Sequence, residues 1–429
     1  MLKVQYSDKV SQVWPLFTNV DIDYGKDVHL YDRLGRKFID FTSGIGVTNT
    51  GHCHPRIVNA IKEQSEKLLH GQTTILYNSM VDQLSYSLQK ILPEELNCFF
   101  FSNSGSEAVE SAIKLVRHAT GKPNIICFQG GYHGRSIGAL SLTTAKSVYR
   151  SGYQPLMPGV FVSPHPYFKQ YQGEDTEKRT KQCLDELEHL LNSQSSPSET
   201  AAMIIEPVLG EGGYVSPSKE FIKGVRELCN KHDILLIFDE IQTGFGRTGE
   251  YFAFKHFDVV PDILVVAKGI ASGLPLSGIV ANKKLMDKWI PGSHGGTYGP
   301  NPLSMAAAIE TIKVLEEEDL INNSKQMGSY LLSGLEKFKN EYTEIVDVRG
   351  KGLMVGCEFV NENGSPGTLI AEEVRKENLS QGLILLTCGP YNQVIRWIPP
   401  LTVKKSDIDR ALTIFGSALK NSLGRKNEL

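Results

Sequence analysis

From Phe99 to Asn282, short apolar runs rich in β-branched and aromatic residues recur as CFFFSNS, NIICFQG, AAMIIEP, DILLIFDE, DILVVAKG and LSGIVAN. Most are separated by stretches such as EAVESAIKLVRHA and SKEFIKGVRELCNKH, whose apolar positions return at helical spacing. This alternation predicts βαβ units. Near-continuous apolar strands flanked by amphipathic helices imply an α/β fold with a mostly parallel sheet covered on both faces, and ligands beyond the carboxyl ends of the strands.

After about residue 310 the pattern changes to two long helical runs, LSMAAAIETIKVLEEE and KQMGSYLLSGLEKFKN. Strand-like VDVRGKGLMVGCEFV, a helix and IRWIPPLTV follow. The expectation is a large domain over 46–310 and a smaller α+β domain over 311–429, which residues 1–45 join. The polar segments NSQSSPSET (192–200) and NENGSPGT (361–368) read as surface loops.

The 429 residues are 41% hydrophobic and 22% charged, enough apolar content for a substantial core without staples. Lys plus Arg number 45 against 48 Asp plus Glu, which leaves no field to hold a nucleic-acid backbone or an anionic membrane. Small-molecule chemistry is the better expectation. The start MLKVQYSDKV lacks an apolar signal region, and no stretch approaches the ~18 uninterrupted apolar residues of a membrane span. The seven cysteines are scattered, with no C-x-x-C pair, and read as reduced thiols of a cytoplasmic protein. The last four residues, KNEL, have the look of a retention tail, but such a tail is read only after entry into the endoplasmic reticulum.

Four features carry candidate chemistry. Ser104-Gly105-Ser106-Glu107 follows a strand and opens a helix, so its backbone amides could cradle a phosphate; an ordinary N-cap explains the same residues equally well. Gly244 to Gly249 satisfies G-x-G-x-x-G, yet it begins four residues past its strand and opens no amphipathic helix, which argues against a dinucleotide. Gly51-His52-Cys53-His54-Pro55 suggests a metal, but no second cluster completes a ligand set, so a structural turn is expected and no metal. Asp239 and Lys268 end successive strands. A lysine there is expensive to bury as a cation, and a neutral amine is what Schiff-base chemistry needs. Lys268 for an aldehyde, Asp239 for a pyridine nitrogen, and Gly105 with Ser106 for a phosphate together describe pyridoxal 5′-phosphate, against the alternative of a salt-bridged sheet rim.

The blocks NSGSEAVESAIKLVR, FQGGYHGRS, IIEPVLGEGGY, FDEIQTGFGRTG, LVVAKGIASGLPLSG, HGGTYGPNP and IRWIPPLTV, in this order, resemble the class III aminotransferases of the fold type I pyridoxal-phosphate superfamily. The likeness runs from about Phe38 to Thr402. It implies that Lys268 binds the cofactor and shuttles a proton, and that Asp239 keeps the ring nitrogen protonated. Tyr132 would stack on the ring with His133 beside it. Ile241 would pack on the other face, Gln242 would bond the ring hydroxyl, and Glu206 would complete the cofactor shell. Thr297 matches a threonine that reaches the phosphate of the neighbouring subunit, implying a homodimer with shared sites. Arg396 matches the clamp for the α-carboxylate of glutamate and 2-oxoglutarate, and Glu211 would pair with it when the other substrate lacks that group.

Within the family, Ile45 in TSGIGV, Tyr132 before His133, and LLTCGPYNQVIRWIPPL lean toward the 4-aminobutyrate branch. Arg135 would hold the distal carboxylate, as it would in acetylornithine enzymes. Pro300 and Trp397 depart from many relatives. The resemblance thus implies ping-pong transfer of a terminal amine to 2-oxoglutarate, with acetylornithine or ornithine as alternative donors. A racemase or aminomutase on the same cofactor, and a non-catalytic relative, are the rival classes.

Overall fold

The computed structural model describes residues 6–18, 20–167 and 175–424. The tail KNEL lies outside them. At its centre is a seven-stranded sheet in the spatial order Cys98–Ser102, Ser277–Ala281, Ile263–Val266, Leu235–Asp239, Thr200–Ile205, Asn124–Phe128, Val160–Ser163. Ser277–Ala281 runs antiparallel to both neighbours and the remaining strands are parallel. Every residue of Thr200–Ile205 and Ile263–Val266 is buried, as strands covered on both faces require. Six strands coincide with the apolar runs. The seventh, Val160–Ser163, is an edge strand of only four residues, too short a run to stand out.

Helix Gly105–Thr120 shows how the local sequence builds this layer. Ser104 Oγ accepts from the Glu107 amide at 3.3 Å and Glu107 Oε2 accepts from the Ser104 amide at 2.8 Å, a reciprocal capping box. The buried face carries Val109, Ala112, Ile113 and Val116, and Gly121 ends the helix in the left-handed conformation.

Two smaller sheets flank the large one. Ile345–Lys351, Met354–Phe359, Val394–Trp397 and Leu386–Cys388 form an antiparallel sheet. In the other, Ile22–Lys26, His29–Asp32 and Lys37–Asp40 are extended by Leu383–Ile384, parallel to Lys37–Asp40, which ties the N-terminal segment to the C-terminal third. Residue 310, where the pattern changes, falls inside the continuous helix Pro302–Glu317.

The polar run 192–200 is mostly the surface loop expected, with Asn192, Ser193, Gln194, Ser196, Ser198 and Glu199 exposed, but its two ends depart from a loop. Ser193 ends helix Thr176–Ser193, while Ser195 and Thr200 are fully buried and bond each other at 2.8 Å. The hydroxyls of these two residues find partners inside, while the rest of the run faces solvent. The glycine-rich loop after Asp239 is a joint: buried Arg247 donates to Asn49 Oδ1 at 2.8 Å and to the carbonyls of Leu353 and Pro399. In the Gly51–Pro55 turn, His52 bonds Asp40 at 2.8 Å and His54 pairs with Glu318 at 3.2 Å. Among the described residues no cluster suited to a metal occurs, and no helix is long and apolar enough to cross a membrane. All seven cysteines are free.

Candidate active site

Strands Leu235–Asp239 and Ile263–Val266 are parallel neighbours, with Asp239 opposite Val265. Asp239 therefore ends one strand where Lys268 emerges two residues beyond the other. Lys268 has φ +49°, a conformation rare for a residue with a side chain and concentrated at functional sites. Asn49 packs against Gly269 and fixes this turn, approaching the place a β-carbon would occupy to 2.4 Å. Burial brings the Lys268 amine down to about 8; the nearby Glu211 opposes that fall and Arg396 reinforces it.

Asp239 is buried and holds two partners, with lone pairs to spare. Its Oδ2 takes His133 Nδ1 at 2.7 Å and its Oδ1 the Ile241 amide at 3.0 Å. Burial alone would lower the His133 pKa, but the hydrogen bond and charge of Asp239 outweigh it and raise it. Glu206 accepts from the Tyr132 amide at 2.7 Å and the Gly210 amide at 2.8 Å, while burial pushes its carboxyl upward. Gln242 lies against Gly210 with its buried Oε1 unpartnered.

At the N-terminus of helix Gly105–Thr120, Gly105 lies so close to Ile241 that a β-carbon would come within 2.9 Å of Ile241 Cδ1. Ser106 Oγ accepts from the Arg135 amide at 3.1 Å, which leaves its proton for another acceptor. Gly134, at φ +132°, lets the chain pass where a β-carbon would come within 2.3 Å of that oxygen. The Tyr132 ring meets Tyr149 edge-on at 5.3 Å, and the Arg135 guanidinium lies 5.0 Å from the Tyr149 centroid.

Opposite these groups stands Arg396, buried on strand Val394–Trp397. Strand alternation sends the next residue, Trp397, into the core between Phe41 and Phe415. Arg396 Nη1 makes a tight ion pair with Glu211 Oε1. Burial would raise the Glu211 pKa, yet Arg396 and Lys146 hold it down at about 2. Ile45 has φ +67°, and its neighbour Gly46 packs on Ile398 and Gln242.

The fold thus gathers Gly105, Ser106, Tyr132, His133, Arg135, Glu206, Glu211, Asp239, Ile241, Gln242, Lys268 and Arg396 through contacts among themselves, with Ile45 at the edge. Thr297 stands apart. It is exposed beside exposed Tyr298, on a segment that meets the stretch 69–72 through Asn301 Nδ2 to the carbonyl of exposed Leu69 at 3.0 Å and the His70 and Tyr298 rings at 5.6 Å. The chain pattern missed Lys146, Tyr149 and Asn392, polar or aromatic residues of loops whose relevance comes only from the groups they face. Glu240, a fully buried carboxylate taking Thr243, Ala253 N and Phe254 N, was missed because it reads as one more strand-end acid.

The aminotransferase class-III family model matches residues 11–419. This chain belongs to the class III aminotransferases. It is 37% identical to a probable 4-aminobutyrate aminotransferase of Bacillus subtilis, over 92% of each chain. It is also 38% identical to an alanine/serine racemase of Pyrococcus horikoshii, covering 92% of this chain and 85% of the relative. Among solved structures it superposes on a Bacillus anthracis aminotransferase with a TM-score of 0.89, at 29% identity and 96% coverage of both chains. The fold is type I, and the protein is a transaminase dependent on pyridoxal 5′-phosphate.

The site fits that cofactor. The lowered amine, the buried carboxylate, the unpartnered Gln242 oxygen and the cradle of Gly105, Ser106 and Gly134 match an aldehyde, a ring nitrogen, a ring hydroxyl and a phosphate respectively.

Proposed function

We propose that this transaminase moves the terminal amine of 4-aminobutyrate to 2-oxoglutarate in a ping-pong cycle, as a homodimer. The observation that carries the reading is the closed Glu211–Arg396 pair with Arg135 left outside it. Closed, the pair masks one cation and leaves one for a donor bearing a single carboxylate. Open, it presents two guanidinium groups to a dicarboxylate, a bidentate geometry that lysine does not supply.

When bound, the cofactor supplies an aldehyde to carry the amino group and a ring that accepts electron density from the substrate carbon. Lys268, neutral above about pH 8, takes the proton from the carbon bearing the amine and returns it. Asp239, oriented by His133, keeps the ring nitrogen protonated. Tyr132 and Ile241 confine the ring, Gln242 faces its hydroxyl, Glu206 fixes the Tyr132 and Gly210 backbones, and Gly105 and Ser106 hold the phosphate. Arg135 holds the donor's carboxylate and Ile45 lines its methylenes.

Thr297 completes the phosphate site of the second subunit, a role consistent with its place beside an exposed apolar surface. The free cysteines fit a reducing, cytoplasmic setting. We read 46–310 as the cofactor-holding unit and 311–429, with the N-terminal segment, as the unit that brings Arg396.

The test is the visible spectrum of the cofactor-loaded protein before and after adding 4-aminobutyrate without keto acid. Loss of the yellow band, and its return on adding 2-oxoglutarate, supports both donor and acceptor. An unchanged band refutes this donor and turns attention to acetylornithine and ornithine. Inversion of alanine or serine with no keto acid required would favour the racemase alternative.

A further inference from the structure

Glu211 divides its two oxygens between different partners. Oε1 takes Arg396, whereas Oε2 faces Tyr149 OH at 3.3 Å and Lys146 Nζ at 3.8 Å. Lys146 is held in place: its Nζ donates to Asn392 Oδ1 at 2.6 Å, and its side chain is only 11% exposed. Asn392 belongs to the turn after Leu386–Cys388, and Gly389 of that turn donates its amide to the Glu211 carbonyl at 2.9 Å. Lysine, turn and glutamate are therefore one connected unit, on the side of the carboxylate that Arg396 does not use.

In the reading above, Arg396 leaves Glu211 to clamp an α-carboxylate. The Glu211 side chain is 12% exposed, and a buried carboxylate left with no cation beside it is strongly disfavoured. We propose that Lys146 is a positioning residue that keeps Glu211 ionised and parked while Arg396 serves the amino acceptor, and so sets the affinity for dicarboxylates. The inference rests on the proposed Arg396 switch. Lys146 acts through Glu211, not on the substrate.

The experiment measures calorimetric dissociation constants of glutarate and butyrate for the cofactor-loaded protein, since neither ligand has an amine or keto group and no reaction follows. The proteins are wild type, K146M, K146R, E211Q and the K146M/E211Q double variant. Wild type should prefer glutarate, and K146M should weaken glutarate by about tenfold or more while changing butyrate by less than about twofold. K146R, which keeps the charge, should retain glutarate binding and shows that the site tolerates substitution. In the E211Q background no carboxylate needs holding, so adding K146M should change glutarate binding by less than about twofold. Equal weakening of both ligands by K146M would mean that the lysine contacts the shared carboxylate directly, and overturns the proposal. A loss that persists in full in the E211Q background overturns it too. If wild type does not distinguish glutarate from butyrate, the Arg396 switch itself fails and this inference falls with it.

Discussion

Lys268 titrates between two charges that compensate each other, so removing either should move it in a direction that the structure specifies. Burial takes the amine from its ordinary 10.5 to about 8, with Glu211 opposing the fall and Arg396 adding to it. A fall of about 2.5 corresponds to roughly 3 kcal/mol of lost preference for the ammonium. At pH 7 about a tenth of the molecules then carry the neutral amine, against about one in three thousand for an exposed lysine. Only the neutral amine attacks an aldehyde. The rate of pyridoxal phosphate uptake by the apo protein, followed by stopped-flow absorbance, should rise about tenfold per pH unit and level off near pH 8. Glu211→Gln removes the opposing charge and should move the break to lower pH; Arg396→Met should move it higher. A break near 10.5 in the wild type would refute the burial argument, and movement of both variants in one direction would refute the assignment of the two charges.

Two further substitutions probe the geometry around the cofactor. In Gly134→Ala the new β-carbon would come within 2.3 Å of Ser106 Oγ at a φ of +132°, so apo stability to urea should fall by about 1–3 kcal/mol and cofactor affinity by at least about tenfold; unchanged affinity in a fluorescence titration would remove Ser106 from the cradle. Ile45→Gly relieves a β-branched residue at φ +67°, worth about 1–2 kcal/mol and partly cancelled by the greater freedom of unfolded glycine. Its urea midpoint should hold or rise while the KM for 4-aminobutyrate increases several-fold, and a clear loss of stability would show that the strain is not there.

Asp239 and Lys268 were legible in the chain because each ends an apolar run that can only be a covered strand, and an ionisable group there is conspicuous. The two strands are parallel neighbours, which brings these ends together, whereas His133 becomes a partner of Asp239 only because the loop after Asn124–Phe128 folds back over the strand end. The polar reading of 192–200 held for its exposed residues and not for Ser195 and Thr200, since a sequence does not show which polar groups satisfy one another. The edge strand Val160–Ser163 is hard to read for another reason: its apolar run, Val160 to Val162, is only three residues long.

What the amino-acid sequence determined by itself is local and periodic: the βαβ order, the capped helix behind Gly105, the strand-end acid and lysine, and the ordered blocks of the family. Periodicity and capping act over a few residues, so they survive without a partner. The tertiary structure alone decided the state of the charges. Glu211 meets Arg396 across 185 positions and faces Lys146 across 65, and Arg247 spans to Asn49 across 198. Burial strength and charge neutralisation depend on distances that exist only after distant segments pack together, because the energy of a charge is set by what surrounds it rather than by its place in the chain.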